Sequence, residues 1–217
     1  MRRPSTRIAA AGIACACTAL GSLPGAAHAF TVNISAANPR TIYLQVGVGT
    51  FTGGNYNSGG APASNSTVNV VSVAVPAAQV GNGVAQAMTT NSTASRSFYD
   101  GYAFCNLPGQ LYIGGFYRST TNTGAATLRA SSPANLVNAS GNTIPFSQIS
   151  WTSSGNSESA GQAQPFPAGT FVGGTQTIGS IARNQWAESC HTFSYANQNV
   201  VAAGTYTGRV TYTLSTP

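Results

Sequence analysis

The sequence predicts an all-β protein, an antiparallel sandwich, on three observations. Short runs that alternate apolar and polar residues recur along the chain, from FTVNIS at residues 30–35 to VTYTL at residues 210–214. Gly, Ser, Thr, Asn and Ala fill the stretches between them. Charged residues make up only 6% of the 217, whereas amphipathic helices need a polar, usually charged, outer face and few glycines. Long helices are therefore disfavoured throughout.

The chain opens with MRRPSTR, which carries Arg2, Arg3 and Arg7, followed by the apolar run IAAAGIACACTALGSL and the small-x-small triplet AHA. This is the layout of a secretory signal peptide over residues 1–29, leaving one domain over residues 30–217 with Phe30 as its expected N-terminus. The apolar run is shorter than the roughly 20 residues that span a bilayer, so no transmembrane anchor is expected. The protein is expected to be exported, crossing a periplasm to the cell surface or the extracellular space. Without its leader the chain has 217 − 29 = 188 residues, enough for one domain with a real core. Three of the nine Arg leave with the leader, so the formal charge falls from +6 to 6 − 3 = +3. The remaining Arg are scattered singly and there is no Lys, which argues against nucleic acid as a partner.

Strand candidates then follow in order. FTVNIS places Phe30, Val32 and Ile34 on one side, and the Asn38-Pro39 turn signal leads into RTIYLQVG. STVNVVSVAVP is a strong strand whose alternation shifts phase between Val70 and Val71, as at a bulge or in a strand buried on both faces. SFYDGYAFC, QLYIGGFYR, AATLRAS, SQISWTS, QTIGSIA and WAESCHTFSYA complete the set before the closing strand. In that last strand Tyr206, Val210, Tyr212 and Leu214 share one side, against Thr205, Thr207, Arg209, Thr211 and Thr213. The linkers at residues 49–66 and 152–170 read as mobile surface loops. Two of the four cysteines, Cys15 and Cys17, lie in the leader. Cys105 and Cys190 remain, and an even pair in an oxidising compartment predicts one disulfide closing a long loop.

Catalytic chemistry lacks its parts. The mature chain holds one His (His191), one Asp (Asp100) and two Glu (Glu158, Glu188), with no GxSxG or HExxH sequence. On a strand, Glu188 and Cys190 would face one way and Ser189 and His191 the other, so Glu188 would not orient His191. No enzyme, cofactor or metal site is expected. Aromatic residues crowd the middle of the chain, and Tyr99, Tyr112, Tyr117 and Trp151 are candidates for stacking on sugar rings if they are exposed. The N-x-[ST] sequences at Asn33, Asn65, Asn91 and Asn138 are what an Asn/Ser/Thr-rich composition produces by chance.

The ending AAGTYTGRVTYTLSTP resembles the C-terminal strand of bacterial pilin-like subunits of the chaperone–usher route, and spore coat protein U-like domains are the nearer likeness. IPFSQISW at residues 144–151 is similar to those proteins as well. The AGTYTG segment also occurs in immunoglobulin-like sandwiches, where the tyrosine, here Tyr206, makes a corner hydrogen bond. The resemblance implies an immunoglobulin-like, pilin-like sandwich: an exported structural or adhesive subunit of a pilus or fimbria, assembled by β-strand donation. Its partners would be like subunits and a periplasmic chaperone. Tyr206, Val210, Tyr212 and Leu214 would belong to the acceptor groove strand, and Phe30, Val32 and Ile34 would be the donated side chains. The second reading, from another class, is a monomeric secreted carbohydrate-binding module whose partners are surface glycans.

Overall fold

The computed structural model describes residues 31–155 and 163–217. The expected leader, Phe30 and Glu158 lie outside the described residues. Along the chain the strands are β1 (Thr31–Asn33), β2 (Thr41–Val46), β3 (Thr50–Thr52), β4 (Ala61–Ala63), β5 (Val71–Ser72), β6 (Gln86–Ala87), β7 (Thr89–Thr90) and β8 (Leu111–Arg118). They continue with β9 (Ala126–Ser131), β10 (Asn135–Val137), β11 (Thr143–Pro145), β12 (Ile149–Ser154), β13 (Gly169–Thr170), β14 (Thr175–Ile181), β15 (Gln185–Tyr195) and β16 (Thr211–Ser215). The helical content of the described residues is three single 3-10 turns.

Two antiparallel sheets pack face to face, so the predicted all-β sandwich is the observed fold. The larger runs β13-β12-β15-β8-β2, and the smaller runs β14-β9-β16. β15 is central and pairs along both edges. β8 and β6 take one edge, while β12 and β1 share the other. The arrangement follows the immunoglobulin plan, in which strands A, B, E and D form one sheet and C, F and G the other. β2, β8, β15 and β12 take the A, B, E and D places, and β9 and β16 take C and F. Among the described residues no strand takes the G place beside β16. The corner tyrosine is present, for the Tyr206 hydroxyl donates to Ala202 O at 2.9 Å.

Both faces of the large sheet are buried, which gives the domain two cores. The inner core packs Leu111, Ile113 and Tyr117 of β8 with Leu128, Trp151, Phe166, Ile181 and Phe193 between the sheets. The outer core packs Phe104, Cys105, Tyr112 and Cys190 beneath residues 91–106, with Phe98 against them. β8 is consequently buried along almost its whole length. A strand between two covers has no solvent face and needs no polar alternation.

The covers are where sequence periodicity misleads. Residues 49–66, expected to be a mobile loop, form the β3–β4 hairpin. Its Phe51 and Tyr56 lie 6.1 and 5.3 Å from the Trp186 ring. SFYDGYAFC is not a strand. Its local turn chemistry overrides the aromatic β preference: Ser97 Oγ accepts from Tyr99 N and Asp100 N, Asp100 Oδ1 accepts from Tyr102 N, and Gly101 has φ 85°. STVNVVSVAVP contributes only the two residues of β5. Beside them Val70 N donates to Asn91 Oδ1, and the side chain of Asn69 bonds the end of β2, accepting from Val48 N and donating to Val46 O. Val71, Val73 and Val75 still point at the inner core, while Val70 is 53% exposed.

Cys105 and Cys190 are joined, as predicted, across a sequence separation of 85 residues. The bond ties the covering segment to the centre of β15 and lies buried in the outer core. Replacing both cysteines with alanine should cost about 2–5 kcal/mol of folding stability, read as a lower guanidinium midpoint, with faster amide exchange in residues 91–106 than in β8. An unchanged midpoint would show that aromatic packing alone holds the cover.

Candidate functional site

The C-terminal strand lies on an open flank of the sandwich. β16 pairs with β9 from Thr211↔Ser131 to Ser215↔Thr127, and on its other edge no partner strand is present among the described residues. The strand is shorter than predicted, since Tyr206 and Val210 precede it and stay half-buried, but within it the alternation is as expected: Leu214 is buried, Tyr212 is half-buried, and Thr211 and Thr213 are exposed. Across the flank, β2 is the edge of the large sheet, and its Cα atoms approach those of β16 within 8 Å. Leu44 and Val46 of β2 are only half-buried although they face the inner core, and Ile42 is 44% exposed. A cleft of about 500 Å³ runs along the free edge of β2 on the side of the β3–β4 hairpin, lined by Ile42 to Val46 and by Pro62, Ala63, Ser64 and Asn65, and no residue of β16 lines it. Core-facing side chains half in water on two facing edges mark a place where the sandwich is not closed. Burial also raises the Tyr212 hydroxyl pKa well above that of a free tyrosine, so the side chain is a neutral apolar surface at any physiological pH.

Of the expected donor residues, Val32 and Ile34 are described. The structure pairs them within their own molecule, away from β16. Val32 stands opposite Trp186 in the β1–β15 ladder, and Ile34 N donates to Asn184 O at 2.8 Å.

The outer core holds a carboxyl group. Glu188 is fully buried, and its Oε2 accepts from the Tyr112 hydroxyl at 2.6 Å and from Trp186 Nε1 at 2.9 Å. Gly114 faces Glu188 across the ladder, and the Tyr112 hydroxyl lies where a Cβ at that position would be. Glycine therefore leaves the room this hydrogen bond needs. Burial raises the Glu188 pKa above the ordinary value, against the opposing pull of hydrogen bonds from Tyr112, Ser97 and Trp186. On the opposite face of β15, His191 is also fully buried and 3.1 Å from Phe166 O, which fixes its proton on Nε2. Its Nδ1 has no hydrogen-bond partner among the described residues, and burial lowers its pKa to about 4. The alternation of β15 thus places Glu188 and His191 on opposite faces, as read from the sequence. Among the described residues no three His, Cys, Asp or Glu side chains come together as a metal site.

The aromatic candidates need correction. Tyr112 and Tyr117 are fully buried and Trp151 is nearly so, with its indole N–H donating to Pro167 O at 2.9 Å. Three of the four rings therefore offer no face to a sugar, because the large sheet carries a core on each side. Tyr99 alone is half-buried, stacked on Tyr56 at 6.1 Å. Sequence reasoning missed Asn197, a buried residue that ties the loop at residues 79–84 to the end of β15. Its amide donates to Gln79 O, Asn82 Oδ1 and Val84 O and accepts from Gly81 N. Its φ of 52°, which asparagine tolerates better than most residues, is visible only in the fold.

The two buried titrating groups make stability depend on pH in opposite senses. Glu188 has a folded pKa above its unfolded 4.5, so its contribution is complete below that pH and is lost as pH rises through the raised value. His191 has a folded pKa of about 4 against 6.5 unfolded, so its contribution is complete above pH 6.5 and is lost as pH falls toward 4. That loss amounts to about 3 kcal/mol. Denaturant melts from pH 4 to 8 should show His191→Gln losing the rise in stability with pH and Glu188→Gln losing the opposing fall; a pH profile unchanged in both variants would refute the assignment.

Compared with family models, with curated proteins and with solved structures, the chain matches none.

Proposed function

We propose that the protein is an exported structural or adhesive surface subunit, of pilus or fimbria type, whose open flank accepts a β-strand from another copy. The supporting observation is the combination of a free β16 edge with incompletely buried apolar side chains on both sides of it: Leu44 and Val46 on β2 and Val210 and Tyr212 on the closing segment pack on the inner core without being fully covered, and Ile42 is exposed. An extended peptide laid there would pair its main chain with β16 and bury alternate side chains between the sheets, which is recognition by strand addition. Each buried apolar side chain would contribute about 1.5–3 kcal/mol before the cost of ordering the segment is subtracted. FTVNIS has the required period, with Phe30, Val32 and Ile34 on one side. The resemblance of AAGTYTGRVTYTLSTP to pilin-like subunits supports the same reading, with like subunits and a periplasmic chaperone as partners. The carbohydrate-binding alternative is left with Tyr99 alone of its four candidate rings.

The test uses the chain lacking residues 30–35 and a synthetic peptide of residues 30–36. The peptide should raise the melting temperature with a saturable dose dependence, worth about 2.7 kcal/mol at a hundred times its dissociation constant. Val210→Asp, which puts a charge on the flank, should abolish the effect. A full-length chain that sediments as a monomer at every concentration, refolds unaided and gains nothing from the peptide would overturn the reading.

A further inference from the structure

The N-terminal strand is held in its own molecule by a clamp at one residue. β1 is only three residues long, and it adds to the edge of β15 with Thr31, Val32 and Asn33 opposite Ala187, Trp186 and Gln185. Just beyond it, where the chain leaves the sheet, the Arg118 guanidinium reaches back from the end of β8. Its Nε donates to Ser35 O at 2.7 Å, and its second nitrogen to Ser35 Oγ at 3.0 Å and Ala36 O at 3.3 Å. The Gln185 amide donates to Asn33 Oδ1 at 3.3 Å. Both side-chain contacts are on the surface, and Thr31 and Asn33 are exposed. A strand of three residues with one half-buried apolar side chain has little to hold it without such a clamp. The planar guanidinium donates along two edges at once, which a lysine could not reproduce.

From this we infer that β1 is a releasable latch: the Arg118 clamp parks the segment on β15 and keeps it from pairing with another copy. The inference rests on the strand-addition reading, because the parked segment is the one with the apolar period that reading needs. Residues 31–36 cannot lie on their own β15 and on another copy's β16 at once, so the clamp sets how readily the subunit joins another. Opening costs the three clamp bonds, the three-residue ladder and the bonds of Ile34 N to Asn184 O and of the Gln185 amide to Asn33, while both cores remain packed.

The test separates the latch from the assembly it would control. In the full-length chain, Arg118→Ala should speed amide exchange at Val32 and Ile34 about tenfold and leave β8 unchanged. Arg118 also lies over the Tyr56 ring, 6.0 Å from its centroid, so Tyr56→Leu is the control that spares the clamp and should leave β1 protected. A surface disulfide from Asn33→Cys with Gln185→Cys, which are direct ladder partners, should hold the chain monomeric by sedimentation until mild reduction opens it. Arg118→Ala should conversely assemble faster than the native chain. Unchanged exchange at Val32 in Arg118→Ala would overturn the latch. So would a stapled chain that assembles at the native rate, although assembly sensitive to Val210→Asp would leave the strand-addition reading standing. If exchange rises in Arg118→Ala but no variant associates under any condition, the strand-addition reading falls and the latch has nothing to control.

Discussion

An eleven-residue strand buried on both faces has to satisfy two cores at once, and the rest of this domain is arranged around β15. Trp186, Glu188 and Cys190 point outward, while Ser189, His191, Phe193 and Tyr195 point between the sheets. Both edges are also paired, with β8 and β6 on one and β12 and β1 on the other. With most of its length out of water, the strand's polar side chains depend on partners within the protein, although His191 Nδ1 has none among the described residues. Glu188 finds Tyr112 and Trp186, and His191 finds the carbonyl of Phe166. The two groups set opposite acid–base demands because burial favours the neutral form of each.

The outer cover is what turns a half-solvated sheet into a central layer. The segments at residues 49–66 and 91–106 would bury little by themselves, yet each brings aromatic rings onto Trp186, with Tyr56 and Tyr99 5.3 and 5.9 Å from it. The disulfide pins the second segment beside Tyr112, and Gly114 leaves the space in which the tyrosine hydroxyl meets Glu188. Packing, cross-link and hydrogen bond converge on one patch, so the loops are ordered although most of their main chain is outside any ladder.

The same economy leaves the other flank unfinished. β2 and β16 are the last strands of their sheets on one side of the sandwich, and their inward side chains are only partly covered. An open edge is costly for an isolated domain and useful for one that joins others. Threonines at 211 and 213 keep the outward face of β16 polar, whereas Val210 and Tyr212 keep its inward face receptive.

The sequence by itself determined the class of the fold, the segments that became β2, β8, β9, β12, β14 and β15, the Cys105–Cys190 bond and the alternation of the closing strand. Those features follow from period two, turn residues and an even cysteine count, all local or arithmetic signals. It also separated Glu188 from His191, because alternation along one strand needs no knowledge of its neighbours. Tertiary structure decided which alternating runs became strands: SFYDGYAFC yielded to the hydroxyl and carboxylate turns of Ser97 and Asp100, and STVNVVSVAVP kept only the two residues of β5, with Val70 N bonded to the Asn91 side chain. It buried Tyr112, Tyr117 and Trp151, since a sheet covered on both faces hides rings whichever way they alternate. It also brought Arg118 to residues 35 and 36, more than 80 positions away in the chain. No local pattern encodes such a contact, because it exists only once β8 ends beside the place where β1 leaves the sheet.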